Sequence, residues 1–355
     1  MNNRAKNTLY SLLLLSSVFI VWNYRQGKHK EENLLPQNEK RYAKISGETM
    51  GTTYSIICFD AETNALKSSI DSLLKTFNTS LNTWDEKSEI SRFNTDSSFM
   101  FSSPFFLPVL AKSKEVYNAT HGAFDPTVMP LVNHWGFGPG KDQAADSTAI
   151  DSLLNFVGFT NIGFDQDKVW KKNRLTQLDF SAIAKGYGVD VVSEYLLSLG
   201  HENHFVEIGG EVRCMGLNVI KGAPWNVGIT DPKSQLFEQA LMATIRLTDK
   251  SMATSGNYYN YKIKNGVRYS HTINPVTGYP IEHPILSATV VADDCMTADA
   301  YATAFMVLGH EKAIELLEKT DQIEGFLIYS GPDGSINTYA TEKIKDKIKG
   351  IESEQ

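Results

Sequence analysis

Hydrophobic and polar positions follow two different periods along the chain, and each period predicts a different kind of element. Residues 52–59 (TTYSIICF) alternate one by one, as in a strand with one buried face. Residues 64–82 and 105–120 instead repeat apolar side chains every three or four positions, which predicts amphipathic helices. No internal repeat is detectable, so the patterns together predict a mixture of α and β elements.

A different pattern marks the N-terminus, where about 15 apolar residues at 8–22 lie between basic residues. This pattern is typical of a secretion signal or a signal anchor, which we place at 1–25. No small-x-small cleavage site comes after it, and no cysteine stands where a lipoprotein signal needs one, so we favour an uncleaved anchor. Signal-like segments usually export the chain behind them, so we expect the body on the outer, periplasmic face of the inner membrane.

Changes in composition give the expected domain boundaries. Residues 26–44 are polar, charged and contain a proline, which suits a short linker between anchor and body. We expect the folded domain at 45–345 and a charged tail at 346–355. The chain then carries one large domain behind its anchor.

One loop inside the domain has a clear signature. Residues 139–150 combine proline, glycine and charged side chains, as surface loops do. We expect Ser147 or Thr148 to cap the next helix, and Gly158 to end it.

Composition excludes several classes of protein. At 355 residues with 42% hydrophobic content the chain can form a substantial core, and a net charge of -7 without a basic stripe argues against nucleic-acid binding. The three cysteines lie far apart and indicate no disulfide framework. The sequence contains no GxGxxG, HExxH or GxSxG motif, which excludes the usual dinucleotide, zinc-protease and serine-hydrolase signatures. His201 and His204 lack a third partner nearby, which disfavours a metal site there.

The segment DDCMTADAYATAF carries the most specific candidate chemistry. We expect Thr297 to cap a helix over 298–308 that Gly309 ends. Asp299 and Thr303 then lie one turn apart on the same face, and their carboxylate and hydroxyl are hard oxygen donors that suit Mg²⁺. The alternative is structural, with Asp299 favouring the helix N-terminus and Thr303 bonding back to a carbonyl.

Two glycine-rich segments are candidate ligand sites. Residues 121–138 combine repeated turns with aromatic side chains, and they form either a ligand-binding loop or a self-packed connection. Further on, we expect a helix from about Ala182, with Asp179 or Ser181 near its cap, and helix starts attract anions. Lys185 in its first turn needs a negative partner, which a phosphate would supply.

Two later segments add candidates. Gly209 and Gly210 interrupt a predicted strand, where a flat ligand can approach or a β-bulge can form. Asn265 and Gly266 predict a hairpin turn, and His271 comes after that hairpin and ahead of another turn, which would present it at a surface.

Taken together, eight segments resemble the ApbE family of FAD:protein FMN transferases. They occur in the family's order and are MGTTYSI, LNTWDEKSEISRFN, GAFDPTV, LDFSAIAKGYGVD, VEIGGEVRCMG, SGNYYNY, SHTINPVTGYPI and TADAYATAFMVLG. The resemblance implies an α+β body of two interleaved subdomains with the cofactor in the cleft between them. The chain departs from many family members because it lacks a lipoprotein cysteine, which concerns its membrane attachment and not the chemistry.

The resemblance also implies roles for individual residues. Asp299, Thr303 and the backbone carbonyl of Ala182 would hold Mg²⁺, while Asp299, His271 and Lys185 would be catalytic. The residues expected to contact FAD are Met50, Trp84, Ala123, Phe124, Asp125, Asp179, Lys185 and Ser270.

The implied reaction transfers FMN from FAD to a threonine or serine hydroxyl of an exported protein and releases AMP. Expected acceptors are subunits of membrane electron-transfer complexes, and the base for the hydroxyl is Asp299, His271 or water. Two alternatives stay open: an FAD pyrophosphatase giving FMN and AMP, and a non-catalytic, membrane-anchored flavin-binding protein.

Overall fold

Eight antiparallel strands form the central sheet of the computed structural model, which describes residues 42–350 except 60, 140–146, 235–239, 257–260, 265–266 and 283. The sheet order is β1-β2-β6-β7-β10-β13-β14-β15. Three smaller sheets have the orders β16-β9-β8, β3-β5-β4 and β11-β12. In chain order the strands are β1 (Tyr42–Thr49), β2 (Thr52–Phe59), β3 (Ser98–Met100), β4 (Ile162–Phe164), β5 (Lys168–Lys171), β6 (His204–Ile208), β7 (Glu211–Met215), β8 (Trp225–Thr230), β9 (Leu241–Leu247), β10 (Lys250–Gly256), β11 (Tyr261–Lys264), β12 (Val267–Ser270), β13 (Ile285–Ala292), β14 (Glu324–Ser330), β15 (Ile336–Ala340) and β16 (Ile348–Gly350).

Helices cover one face of this sheet and connect its strands. They are α1 (Thr63–Leu81), α2 (Glu89–Thr95), α3 (Phe106–Ala119), α4 (Met129–His134), α5 (Ile150–Leu154), α6 (Ala184–Ser198), α7 (Cys295–Leu308), α8 (His310–Lys319) and α9 (Glu342–Lys345), with short 3₁₀ turns at Ser147–Ala149 and Phe159–Asn161. The predicted strand at 52–59 and the predicted helices at 64–82 and 105–120 are confirmed as β2, α1 and α3. Their apolar periods are the signal that located them.

The central sheet is buried on both faces because its strands alternate between two hydrophobic clusters. In β2, Tyr54 and Ile56 face a cluster shared with α1 and α6. Phe59 faces the opposite cluster, where Trp225 and Ile245 of the β16-β9-β8 sheet lie. The sheet is therefore a middle layer between helices and a second sheet, which is an α+β arrangement.

Helix α7 is largely buried near the sheet and packs on β10, β13, α6, α3 and α8. Ala300, Ala302 and Ala304 are fully buried, so this helix approaches its neighbours closely. Small side chains there are the consequence of a position in the centre of the core.

Both predicted ends of the domain need correction. The body begins at Tyr42 with β1, in which buried Ala43 and Ile45 alternate with exposed neighbours. The exposed residues of this strand are polar, so its composition resembles that of a linker. At the other end, the predicted tail at 346–355 contains β16, which pairs antiparallel with β9. An edge strand needs only backbone pairing, so its mostly exposed side chains looked like a tail.

Two local predictions are also corrected. The helix expected between Ser147 or Thr148 and Gly158 ends at Leu154 and has no side-chain cap, since a 3₁₀ turn precedes it and its first flanking residue is already helical. Gly209 and Gly210 form the turn of the β6–β7 hairpin, with φ of 59° and 102°, and are neither strand interior nor a bulge.

Residues 1–41, which contain the predicted anchor and most of the predicted linker, lie outside the described residues. Within the part of the chain that the structure describes, no helix has the length and apolar character needed to cross a membrane. The anchor and the division of the body into two interleaved subdomains stay predictions.

Candidate active site

Helices α6 and α7 exchange hydrogen bonds near their N-terminal ends, where a carboxylate of each helix accepts from backbone amides of the other. Asp299 of α7 accepts a hydrogen bond from the Gly186 amide of α6 at 2.9 Å. Asp190 of α6 in turn accepts from the Cys295 and Met296 amides of α7 at 2.9 and 2.8 Å. The first amides of a helix have no partner within it, so each helix satisfies amides of the other. This exchange fixes the relative position of the two helices.

Gly186 allows this exchange because it lies against the α7 backbone. A Cβ atom at Gly186 would stand 2.3 Å from the Cys295 carbonyl oxygen and 2.8 Å from the Asp299 Cβ. Both distances are shorter than van der Waals contact, so the two helices could not come this close with any other residue.

The start of α7 differs from its prediction. The helix begins at Cys295, and Asp294 is its cap, accepting from the Thr297 amide at 2.7 Å and the Thr297 hydroxyl at 2.9 Å. Asp294 takes the extended conformation that a cap requires, whereas Thr297 is already helical. The predicted cap at Thr297 is therefore wrong, while the predicted end at Gly309 is confirmed.

Asp299 and Thr303 lie one turn apart on α7, as their spacing predicts. Asp299 is only 2% exposed, and its Oδ2 is the atom bonded to Gly186. The Thr303 hydroxyl lies 3.2 Å from the Ser255 hydroxyl of β10. The face of α7 therefore carries one carboxylate and one hydroxyl, and the Ser255 hydroxyl of β10 lies against it.

Lys185 stands beside Gly186 and pairs with a residue that sequence reasoning missed. Its ammonium lies 2.5 Å from Oε1 of Glu211, the first residue of β7, whereas the sequence had suggested a phosphate as its negative partner. Burial lowers the pKa of Lys185, but the carboxylates of Asp299 and Glu211 outweigh burial and raise it above its ordinary value. Lys185 therefore stays charged, with two carboxylates close to one ammonium.

Ala182 and Asp179 lie just before α6, which begins at Ala184, two residues later than predicted and without a side-chain cap. In a continuous helix the Gly186 amide would donate to the Ala182 carbonyl, but here it donates to Asp299. This places the Ala182 carbonyl at the same helix start as the Asp299 carboxylate. Asp179 accepts from the Ser181 amide at 2.9 Å and from its hydroxyl at 2.5 Å, and burial raises the pKa of Asp179.

The segment around Asp125 is joined to this region through the backbone, because the Asp179 amide donates to the Pro126 carbonyl at 2.7 Å. Asp125 is 7% exposed and accepts from the amide and hydroxyl of Thr127 at 2.8 and 2.6 Å. The Ala123 and Phe124 side chains are buried in the core. Ala123 and Phe124 can therefore contact a ligand chiefly through their backbone atoms.

The Asp125 carboxylate gives a pH-dependent prediction. Burial raises its pKa from 3.8 to about 6, so the folded protein resists ionisation that the unfolded chain undergoes freely. Stability is therefore lost as pH rises from 3.8 through 6 and stays lower above that range, by about 3 kcal/mol. Asp125→Asn is expected to raise the free energy of unfolding by up to about 3 kcal/mol at pH 8 and very little at pH 4, while weakening FAD binding.

Urea unfolding at several pH values and FAD fluorescence quenching would measure both effects. An equal gain at pH 4 and pH 8, or unchanged FAD affinity, would contradict the prediction.

Met50 and Trp84 occupy turns at the edges of this region. Met50 and Gly51, with φ of 51° and 72°, form the tight turn between β1 and β2. The Met50 side chain points to α6, since its Cε lies 2.9 Å from where a Cβ of Gly188 would stand. Trp84 comes after α1 and is 66% exposed, so its ring is available to a ligand.

A buried carboxylate holds the loop that carries Trp84. Glu89 is 3% exposed and accepts from the Ser80 and Ser103 hydroxyls, both at 2.5 Å, from the Ser102 amide at 2.9 Å and from the Ser102 hydroxyl. Burial raises the pKa of Glu89, but these donors outweigh it and lower the pKa. The charge is therefore stable without a cation, and it ties α2 to the end of α1.

The predicted hairpin before His271 is confirmed as β11 and β12, while Asn265 and Gly266 themselves lie outside the described residues. Ser270 ends β12, is 8% exposed, and accepts from the Thr272 amide at 3.2 Å. His271 is the next residue and is half-buried. The described contacts do not bring His271 to Asp299 or Lys185, so its catalytic role stays a prediction.

His204 has a structural role. It lies 2.7 Å from the Ser193 hydroxyl and 2.8 Å from the His201 carbonyl, and burial lowers its pKa to about 4. Among the described residues no group of three or more His, Cys, Asp or Glu is placed to hold a metal. The expectation that His201 and His204 form no metal site stays a prediction.

The donors around Asp299 nevertheless fit Mg²⁺. This ion keeps several waters and usually binds through one or two carboxylates together with substrate phosphates. Asp299 has one oxygen bonded to Gly186, and Thr303 and the Ala182 carbonyl supply neutral oxygens nearby. The site places two carboxyl groups, Glu211 and Asp299, beside the single ammonium of Lys185, and this excess of acidic groups favours an added cation.

Comparison with known proteins agrees with the α+β fold. The ApbE family model matches residues 50–327. An FAD:protein FMN transferase of Vibrio cholerae is 40% identical over 314 residues, covering 85% of this chain and 91% of that protein. One of Haemophilus influenzae is 40% identical over 299 residues, covering 80% and 86%.

Solved structures give the same result. The flavin transferase ApbE from Vibrio cholerae has a TM-score of 0.78 at 38% identity, covering 87% of this chain and 99% of that one. The flavinyl transferase ApbE of Pseudomonas stutzeri has a TM-score of 0.77 at 31% identity, covering 87% and 97%. The chain therefore belongs to the ApbE family. The resemblance seen in the sequence, the α+β fold and the prediction of a flavin-transferring enzyme are confirmed.

Proposed function

We propose that this chain transfers FMN from FAD to a threonine or serine hydroxyl of an extracytoplasmic protein, with Mg²⁺, and releases AMP. The observation that carries the proposal is the charged cluster at the crossing of α6 and α7, where Asp299 and Lys185 lie beside a helix start. The names of relatives at 40% identity support FAD as the flavin donor.

The charges of the site suit a pyrophosphate. The start of α6 presents the positive end of the helix dipole to an anion, and Lys185 adds a positive charge. Asp299 and Glu211 would repel phosphate, so the site needs a further cation. Mg²⁺ held by Asp299, Thr303 and the Ala182 carbonyl would neutralise phosphate oxygens when bound.

The transfer itself is a substitution at the FMN-side phosphorus. The acceptor hydroxyl oxygen forms a bond to that phosphorus, the anhydride bond breaks, and AMP leaves with the bridging oxygen. The hydroxyl proton goes to a base, for which Asp299, His271 and water remain the candidates. Positioning of the two reactants supplies most of the acceleration in such reactions.

A second candidate function is hydrolysis of FAD to FMN and AMP, in which water replaces the protein hydroxyl. A third is flavin binding without catalysis, which a purely structural Asp299 would favour. Asp299 is buried, but it lies close to Lys185 and Glu211 and not only against apolar side chains. This charged environment favours a reaction site over a structural carboxylate.

One incubation separates the three functions. The purified protein is mixed with FAD, Mg²⁺ and an exported subunit of a membrane electron-transfer complex. Fluorescent flavin that stays on the denatured subunit supports transfer, free FMN with AMP supports hydrolysis, and unchanged FAD supports binding alone. Transfer that proceeds equally in EDTA would contradict the role of Mg²⁺.

We also propose that residues 1–25 remain attached and hold the body on the periplasmic face of the inner membrane. The apolar run at 8–22 and the lack of a cleavage site after it support this. The expected result is full-length protein in the membrane fraction that protease reaches from the periplasmic side. N-terminal sequencing that finds a mature chain starting between Gly27 and Lys44 would overturn the proposal.

A further inference from the structure

We propose that Glu211 is a positioning residue that holds the Lys185 ammonium away from Asp299, and that it thereby keeps the Asp299 carboxylate open to a divalent cation. The inference rests on the proposed function, in which Asp299 holds Mg²⁺. In this inference Glu211 determines where the charged Lys185 ammonium lies.

The geometry of Lys185 supports this role. Lys185 directly precedes Gly186, and the Gly186 amide donates a hydrogen bond to the Asp299 carboxylate. The Lys185 side chain therefore starts close to that carboxylate. The lysine stem is long and flexible, and it could turn to either acid. In the described structure its ion-pair partner is Glu211, at 2.5 Å.

The β6–β7 hairpin gives Glu211 and the lysine stem fixed places. Glu211 is the first residue of β7 and pairs with Ile208 across the turn, so its backbone cannot drift. The Lys185 Cδ lies 3.4 Å from where a Cβ of Gly209 would stand, so the stem runs over the glycine turn. The hairpin thus fixes the Glu211 carboxylate where the Lys185 ammonium forms its ion pair with it, although Asp299 lies near the same ammonium.

Glu211 also has an oxygen that the fold does not use. The residue is 3% exposed, and its Oε2 is buried without a hydrogen-bond partner in the described structure. Burial of a carboxylate with an unpaired oxygen is unfavourable for folding. We explain the presence of Glu211 at this unfavourable position by its effect on Lys185. Without Glu211 the Lys185 ammonium could pair with Asp299, and it would then repel the metal ion.

The test is metal binding by the protein without FAD. Mn²⁺ and Mg²⁺ are titrated into the full-length protein by calorimetry and by Mn²⁺ paramagnetic resonance, for the wild type, Glu211→Gln, Lys185→Met and the double variant. Glu211→Gln keeps the shape but frees Lys185 to pair with Asp299, so metal affinity should fall roughly 10- to 100-fold, as for other residues that orient metal ligands. The double variant should regain at least the wild-type affinity, because no ammonium remains to occupy Asp299.

Glu207→Gln is the matched control, since Glu207 lies in the same hairpin and accepts the Gly210 amide at 2.7 Å. It should bind metal like the wild type. Unchanged affinity in Glu211→Gln would overturn the inference, and so would a double variant as weak as Glu211→Gln, which would make Glu211 a direct ligand. If Glu211→Gln fails to fold, Lys185→Met alone decides, because affinity below wild type would overturn the inference. A wild type that binds no metal would instead overturn the Mg²⁺ site itself.

Discussion

Replacing Asp299 with asparagine is expected to lower FMN transfer by about a hundredfold or more at limiting Mg²⁺ while leaving the fold intact. The amide oxygen of asparagine can still accept the Gly186 hydrogen bond that now measures 2.9 Å. The negative charge that a divalent cation needs is lost, because a neutral amide oxygen is a far weaker ligand than a carboxylate. FMN transfer is therefore lost, while the contact between α6 and α7 remains.

Asp299→Ala separates the two parts of this effect. It should lose transfer to the same degree and also leave the Gly186 amide without its acceptor, which lowers the free energy of unfolding by about 1 to 3 kcal/mol. Thr303→Val should reduce transfer more mildly, since it removes a neutral hydroxyl. Transfer rates over a range of Mg²⁺ concentrations, with urea unfolding beside them, measure both quantities.

Near-normal transfer by Asp299→Asn at limiting Mg²⁺ would show that Asp299 serves only to join the helices. In that case Asp299→Ala would still lose stability, so the structural and catalytic roles give different results.

The spacing of Asp299 and Thr303 could be predicted because an α-helix places residues four apart on one face. The start of that helix could not be placed as well, since Asp294 and Thr297 are both acceptable caps in the sequence. Only the backbone conformation distinguishes them: Asp294 is extended and Thr297 is helical. Local signals therefore located the helix and its end at Gly309, but not its first turn.

The partners of these residues were not predictable, because they come from distant parts of the chain. Glu211 lies 26 residues from Lys185, and Gly186 lies 113 residues from Asp299. A glutamate after two glycines carries no local sign that it will be buried beside a lysine. The resemblance to a family supplied the expected ligands, but the charge balance of the site is a product of the fold.

Edge elements were missed for a related reason. β16 is held by backbone pairing to β9 and leaves its side chains mostly exposed, so its composition matches that of a charged tail. In β1, buried Ala43 alternates with exposed Lys44. The stretch is short and mostly polar, so this alternation is difficult to recognise in the sequence. Hydrophobic patterns predict elements that bury side chains, and they fail where an element is stabilised chiefly by backbone hydrogen bonds.

Gly186→Ala is expected to separate α6 from α7 and to damage both stability and catalysis. Alanine would gain about 1 kcal/mol in helix propensity, but its Cβ would lie 2.3 Å from the Cys295 carbonyl oxygen, a backbone atom that cannot turn aside. Overpacking of this kind typically costs about 1 to 3 kcal/mol. The Asp299 contact with the Gly186 amide should lengthen, so Mg²⁺-dependent transfer should fall at least about tenfold, since shifts near 1 Å in a site have such effects.

Gly188→Ala, two residues along the same helix, is the matched control for Gly186→Ala. Its Cβ would meet the Cε of Met50 at 2.9 Å, and this is the end of a flexible side chain that can move away. The control should therefore lose little stability and keep its Mg²⁺ affinity, although Met50 is a predicted flavin contact and FAD binding can change. Thermal unfolding and Mn²⁺ titration of the two variants decide the matter. If Gly186→Ala matched Gly188→Ala in both measurements, the close contact between α6 and α7 would not be what sets the position of Asp299.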